Sequence, residues 1–497
     1  MFTASSSSFL ASLHSSRPSK NFIQATCLRT ITAVFVLLPA LAGFAQAPSP
    51  AEAGKVSASG AADCTKSSGS LPQGASRVYI ALRSGKDGSG ASAADARDGS
   101  TVESFDTILR CYSEGCADSG NPHKTVAKTE NLIVCLGPGT FHTKGTYDFM
   151  INLPHQPQGF TIGKGWKIHG SGVGVTTVQL VALFVAPGPK NPQNIPEGTG
   201  VGVVFSTNSD EASGVEVSDL TIDCNYPALK AEADHQNLSA INLEGVHLRS
   251  FRGGHWIHDL HVLNTAGELG ARWETFPVWI VSVRQTALPS DNNGNVIERV
   301  RMSRFTGQWC TAIAVGTAVA EVRNNTVEGY KIAYGGWMLG ATLFHHNVSI
   351  DSEYGFNIDS LANQGTRIQA NQIIHPRNYG MVIGGGGSYA DFDVSGNTIQ
   401  INKSGVIGLL FQGNVTGTVV RDNSIIAESR VKATAVRNTG ANVNNVYEAN
   451  RISSSLKATF QGSSSQSRSC FFGNVDETGK ASREFADNHR GTCMKGK

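Results

Sequence analysis

Residues 367–374 read RIQANQII, residues 393–400 DVSGNTIQ, residues 419–426 VVRDNSII and residues 446–453 VYEANRIS. Each segment carries an apolar residue at its second place, asparagine at its fifth and another apolar residue at its seventh. In a straight strand successive side chains alternate, so residues five apart face opposite ways. Two short strands joined by a sharp bend instead bring both apolar ends to one side. Asn tolerates the left-handed backbone such a bend requires. Asn side chains stacked in register can also hydrogen-bond from one repeat to the next.

Upstream the same pair recurs as Val217/Ile222, Ile257/Val262, Ile297/Met302, Val322/Val327 and Leu343/Val348. It joins Ile368/Ile373, Val394/Ile399, Val420/Ile425 and Tyr447/Ile452. Leu220, Leu260, Val300, Asn325 and His346 stand where the later repeats carry Asn371, Asn397, Asn423 and Asn450. The spacing settles at about 25 residues, a solenoid-sized unit, with two upstream repeats of about 40. No helical period of comparable strength competes. The expectation is an all-β chain folded as a right-handed parallel β-helix over residues 166–460. Residues 76–165 would form an N-terminal cap and first strands, and residues 461–497 a C-terminal tail or cap.

The composition fits. Charged residues are 16% of the 497, against roughly 25% in an average soluble protein, and there are 55 glycines. The net charge of +2 gives no basic excess for nucleic acid. At the N-terminus Arg17, Lys20 and Arg29 precede the apolar run Ile31–Ala45, which is shorter than a membrane span. Ala45-Gln46-Ala47 follows as a cleavage-like end. Residues 1–45 therefore read as a signal peptide and 46–75 as a flexible linker. The mature chain is expected to be secreted, extracellular or periplasmic, with no membrane span, and monomeric. It keeps eight cysteines, an even number that allows disulfides. Cys224 and Cys310 sit in apolar strand contexts suited to buried thiols. Between these features, residues 101–114 read as an amphipathic helix able to cover the open end of the stack. Ser100 would be its N-cap, and Glu103 would close a capping box.

A second strand recurs in each repeat: AINLE from Ala240, PVWIV from Pro277, TAIAVG from Thr311, KIAYGG from Lys331, GFNIDS from Gly355 and GMVIGG from Gly380. Alternation puts Ile241, Val278, Ile313, Ile332, Phe356 and Met381 inside. Asn242, Glu244, Trp279, Val281, Ala314, Gly316, Ala333, Gly335, Asn357, Asp359, Val382 and Gly384 then face out. Small residues in the middle, flanked by polar and aromatic ones, describe a shallow groove for a chain-like ligand.

These features resemble the pectate-lyase-like β-helix superfamily. The likeness rests on the GPGTF turn at Gly137, WKIHGSGVGVTTVQL from Trp166, VSDLTIDCN from Val217 and the Asn-bearing repeats, and covers roughly residues 76–460. The fold hosts lyases, polygalacturonases, epimerases and non-catalytic adhesins, so the resemblance implies a fold and leaves activity open. A polygalacturonase-like set of paired Asp motifs is absent. YGFNIDS from Tyr354 is similar to an epimerase motif that reads Asp-Pro-His after YGF, but Asn357, Ile358 and Asp359 stand there.

Chemistry-bearing residues concentrate in the two long repeats. Five of the fourteen histidines fall between His235 and His261, near Glu244, Glu268, Arg272, Glu274 and Arg284, with Trp256, Trp273 and Trp279 interleaved. Arg groups and aromatic faces suit an acidic sugar. His255, His258 and His261 lack a ligand spacing, and His258 would face away from the other two on a regular strand. No D-x-D-x-D type loop provides for calcium, so no cofactor is expected. Glu244 and Asp359 lie four repeats apart, roughly 19 Å at the ordinary strand spacing, too far for a glycosidase pair. A hydrolase would have to recruit Glu268 or Glu274. For elimination, Arg272, Arg284, His247 and Lys331 offer cations and a base, which slightly favours a lyase.

The expectation is an enzyme on an acidic polysaccharide, with a non-catalytic sugar-binding or adhesive β-helix as the alternative. Its catalytic candidates are Arg272, Glu274, Asp359, His247, Arg284 and Lys331. Its substrate-binding candidates are Asn242, Glu244, Trp273, Trp279 and Asn357. Loops 223–256 and 263–296 would wall the site.

Overall fold

The computed structural model describes Cys64, residue 71 and residues 73–482, apart from 118–124, 148–155, 158, 187–195, 208–210, 270–273, 283–292, 338–340, 360–361, 441 and 461–468. The expected signal peptide lies outside the described residues, as do Arg272, Trp273 and Arg284. Among the described residues no helix is long and apolar enough to cross a membrane.

The chain forms a right-handed parallel β-helix, the hand that parallel crossovers almost always take. On one sheet the apolar column runs Val217, Ile257, Ile297, Val322, Phe344, Ile368, Val394, Val420, Tyr447, Phe471, each paired in parallel with the next. A second column runs Ile222, Val262, Met302, Val327, Ser349, Ile373, Ile399, Ile425, Ile452. All but Phe471 are buried. Between the columns a ladder of buried asparagines passes from Nδ2 to Oδ1 through Asn325, Asn347, Asn371, Asn397, Asn423, Asn450 and Asn474. Its steps measure 2.9–3.0 Å. The main-chain N–H of each of the first six also donates to the next Oδ1.

Four details correct the expectations. First, the ladder residue of its rung is Asn347, and the inward pair there is Phe344/Ser349; His346 is the left-handed residue, φ 55°. Second, the left-handed position is one residue before the asparagine, at Asn324, His346, Ala370, Gly396, Asp422, Ala449 and Gly473. Asn is selected for its inward amide, and its neighbour absorbs the bend. Third, the helix spans Val102–Glu114, but its N-cap is Thr101, whose box is closed by Ser104. A hydroxyl close to the backbone makes both bonds, and Glu103 instead pairs with Lys144. Phe105 packs on Phe141 and Phe160 at the first rungs. Fourth, parallel pairing joins the expected first strands, from Ser76–Ala81, to the main sheet and continues past residue 460 to Cys470–Phe472.

Disulfides join Cys64 to Cys135 and Cys111 to Cys116, and Cys470 is bonded too. The first anchors a residue of the expected linker to the sheet. Cys224 and Cys310 are buried free thiols, as their context implied.

The second sheet runs through Thr199–Ser206, Ala240–Ser250, Val278–Ser282, Thr311–Gly316, Ile332–Gly336, Tyr354–Ile358, Tyr379–Ala390 and Ile407–Thr416. Near the start of these strands, alternation breaks. Side chains placed at Gly355, Gly380 and Gly408 would meet the inward Ile373, Ile399 and Ile425. Ala333 joins them in the main core, whereas Tyr354, Tyr379 and Ile407 pack on the outer face. Ile332 pairs with Tyr354 and so falls on the outer side, the reverse of simple alternation for Ile332 and Ala333. From Tyr334 onward the expected alternation returns.

Candidate functional site

The outer face of this second sheet divides in two. Upstream it is covered. Asn242, Glu244, His247 and Trp279 all project outward, yet none is more than 3% exposed. The inserted segment folds down on them: the Leu269 N–H donates to Asn242 Oδ1 at 3.4 Å and the Phe276 N–H to Glu244 Oε1 at 3.0 Å. Glu268 anchors the same segment, accepting from the Tyr226 hydroxyl at 2.6 Å and the Ile241 N–H at 3.0 Å. His247 stacks on Trp279 with centroids 4.2 Å apart. Phe276 and Trp337 close over Trp279 at 4.8 and 5.4 Å. Phe276, Trp279, Val281 and Ala314, with Trp337 against them, form a small apolar core outside the sheet. These four candidates are therefore covered where the groove expected them open.

Downstream, one outward column continues from Trp279 through Ala314 and Gly335 to Asn357, which is half-buried. The end of the covering segment delivers Glu274 beside this small-residue floor. Thr275 bridges to Cys310, and the Thr311 N–H donates to the Thr275 carbonyl at 3.0 Å. The Glu274 carboxyl accepts from the Thr311 hydroxyl and the Trp309 indole N–H. Desolvation pushes this carboxyl up to about 7. The charge of Asp359 adds to the rise, and the two donors oppose it. Asp359 sits three rungs on from the Thr275 rung, its pKa also raised by burial while the Tyr389 hydroxyl, 3.3 Å from Oδ1, lowers it. A side chain at Gly385 would meet Asp359 Oδ1 at 2.2 Å, so the glycine there leaves space for the carboxylate. The charge of Asp359 is the smallest of the influences on Glu274, while the shift of Asp359 itself comes from burial and Tyr389.

Beside Glu274 runs a half-buried strip that sequence reasoning missed. Tyr354 and Tyr379 stack at 4.9 Å, and Trp309 lies 6.4 Å from Tyr354. Lys331 Nζ lies 4.9 Å from the Trp309 centroid and 5.9 Å from that of Tyr354, paired with Glu353. The signal was present: Tyr-Gly recurs at residues 354–355 and 379–380, one rung apart.

The histidine cluster lies on the other sheet. His258 and His261 are both outside the core, because Asp259 is left-handed, φ 51°, and resets the alternation. His258 donates to Asp259 at 2.7 Å and to Glu216 at 3.1 Å. Burial opposes its charge, but these bonds outweigh it and raise the pKa. Arg299 grips Asp259 with two bonds of 2.7 and 2.8 Å. Among the described residues no three His, Cys, Asp or Glu side chains converge to hold a metal.

The fold is a right-handed parallel β-helix, as the repeats implied. No protein-family model matches the chain, and none of the curated proteins matches it. Among solved structures, a family 28 exopolygalacturonase of Yersinia enterocolitica is 10% identical, over 82% of this chain and 79% of that one, with a TM-score of 0.39. The A-module of the mannuronan C-5 epimerase AlgE6 of Azotobacter vinelandii is 14% identical over 69% and 90%, TM-score 0.33. PfbA, a surface adhesin of Streptococcus pneumoniae, is 12% identical over 75% and 92%, TM-score 0.34. These are likenesses of architecture, and activity has to be argued from the residues.

Proposed function

We propose that this chain is an exported enzyme that cleaves an acidic polysaccharide on the outer face around Ala314, Gly335 and Asn357, with Glu274 as general acid. The observation that carries the reading is a desolvated carboxyl, Glu274, held by the Thr311 hydroxyl and the Trp309 indole beside the small residues of the outer face. A carboxyl pushed to about 7 holds its proton near neutral pH, as protonation of a leaving oxygen requires. Asp359, whose charge reaches Glu274, is the candidate second carboxylate and, being rungs away, would activate water rather than attack the sugar. Lys331 lies over the ring of Trp309, the donor to Glu274, where a uronate carboxylate would need a counter-charge. The disulfides support an oxidising compartment.

Hydrolysis gains weight over elimination on one observation. His247, a base considered for elimination, is fully buried under Trp279. The test is a screen of acidic polymers that follows both reducing-end release and the ultraviolet absorbance of unsaturated uronate. Reducing ends without the absorbance are expected. Both signals together would return the reading to a lyase. Neither signal, with binding retained, would make the chain a sugar-binding β-helix.

A further inference from the structure

Resting on that reading, we infer that the aromatic box beside Glu274 is a subsite for an acyl group on the sugar, so that the substrate is an acylated glycan. Trp279 is 1% exposed, and among the described residues its indole Nε1 has no hydrogen-bond partner. Buried donors are nearly always satisfied, and leaving one unpaired is costly. Nε1 points at the small-residue floor: a Cβ on Gly316 would stand 2.9 Å from it and 3.0 Å from the Trp337 ring. Any side chain at residue 316 would press against both indoles. Trp337 is the half-buried member of the box, and binding would require its ring to move aside from the N–H.

The chemistry of the box selects its occupant. Indole is a donor only, so the ligand must present an acceptor. The neighbours Phe276, Val281, Ala314 and Trp337 are apolar or aromatic, and an unpaired carboxylate among them would be strongly penalised. A hydroxyl would bring a donor of its own to satisfy. An acyl carbonyl accepts without donating, and its methyl group fits an aromatic wall. O-acetyl, N-acetyl and methyl-ester groups share this chemistry.

The full chain is titrated calorimetrically with O-acetylated polygalacturonate, methyl-esterified polygalacturonate and the saponified polymer. Hyaluronan and its de-N-acetylated form make the parallel pair. At least one acyl form should bind about tenfold more tightly than its deacylated partner, the worth of one hydrogen bond. Which pair shows the difference identifies the acyl type. Replacing Trp279 by benzothienylalanine, an isostere without the N–H, should abolish that preference while leaving the melting temperature unchanged or higher. Gly316→Ala should weaken acyl binding as well. Equal binding of every acylated and deacylated pair would overturn the subsite and leave the cleavage reading standing. So would a preference that survives in the isostere. If no polymer in the panel is bound or cleaved, both fail together.

Discussion

The rungs before residue 304 and those after residue 310 share one core and solve the same bend differently. Upstream, the column between the two apolar pairs holds Leu220, Leu260 and Val300, and the left-handed positions are Asp219, Asp259 and Arg299. There the bend is braced from outside, by the network of Glu216, His258, Asp259, Arg299, Glu298 and Arg323. Downstream it is braced from inside, by the asparagine ladder, and the outer bend residue can be Ala, His or Gly. The switch falls where the Val300 N–H donates to Asn325 Oδ1 at 2.9 Å. The opposite sheet changes in the same interval. Upstream its outer face is covered by the inserted segment, and downstream Tyr354, Asn357 and Tyr379 are half-buried, with Glu274 at the border. A segment that covers one half places its last carboxyl at the edge of the other. That explains how Glu274 is desolvated and yet lies next to the half-buried aromatic strip of Trp309, Tyr354 and Tyr379.

The largest effect tests that border. Glu274→Gln should lower polymer cleavage by roughly two to four orders of magnitude, the usual contribution of a general acid. Reducing-end assays check this, and the melting temperature should not fall, because the amide keeps an acceptor for Thr311 and Trp309. If cleavage persists in the variant, the border carries no chemistry and the face is only a surface.

Next come the two braces. Asn397→Ala leaves the Asn371 N–H and Nδ2 without their acceptor and the Ile368 carbonyl without its donor. At ~1–3 kcal/mol for each buried group left unsatisfied, a loss of about 3–4 kcal/mol is expected in denaturant unfolding. Asp259→Gly removes the anchor of Arg299 and His258 together. Breaking a buried pair costs ~3–5 kcal/mol, and discounting for the one-third exposure of Arg299 brings this to about 2–3 kcal/mol. If both losses appear as local opening by hydrogen exchange, each should stay in its own half.

The third prediction separates the halves by pH. His258 has a raised pKa, so its stabilisation is complete below 6.5 and lost as pH rises through the raised value. Glu274, raised to about 7, acts in the same sense: its contribution is full below 4.5 and lost as pH rises through 7. His255 has the opposite sign. Buried and pushed down to about 3, it stabilises above 6.5, and that is lost as pH falls towards 3. Amides do not titrate, so the ladder is indifferent. Hydrogen exchange between pH 6 and 9 should accelerate over residues 216–263 beyond its intrinsic rise, with residues 393–452 following the intrinsic rise alone. His258→Gln should remove most of the difference.

These contrasts mark what was legible in the sequence. The solenoid could be read because its column needs inward apolar residues and a buried amide in every rung, a demand that few substitutions meet. The register at Phe344 was misread because FHHNVS offers two asparagine-like positions, His346 and Asn347, and only the hydrogen bonds choose between them. Glu274 and Asp359 could be named as single candidates from their place in an insertion and on a strand. The desolvation of Glu274 could not, since it depends on where a long insertion lands. The same limit hid the burial of Asn242, Glu244, His247 and Trp279. Alternation tells which side a residue faces, and says nothing about what folds over it.

The smallest effect sharpens the comparison most, because it asks one substitution of both halves. Ala370 and Asp259 occupy equivalent left-handed bends, at φ 52° and 51°. A non-glycine residue there pays about 1–2 kcal/mol of backbone strain, which glycine relieves. Glycine also adds ~0.5–1 kcal/mol of unfolded-chain entropy. For Ala370→Gly the two nearly cancel, and the change should lie within about 0.5–1 kcal/mol of zero, on the stabilising side. Gly396 already serves the next rung at φ 64°. Downstream the bend residue is a hinge that the ladder holds in place, whereas upstream Asp259 is itself the brace, so the same glycine there should be costly. Denaturant midpoints of the two variants decide it. Equal losses would mean that the upstream ion network adds nothing beyond backbone strain, and the division of the helix into two differently braced halves would have to be abandoned.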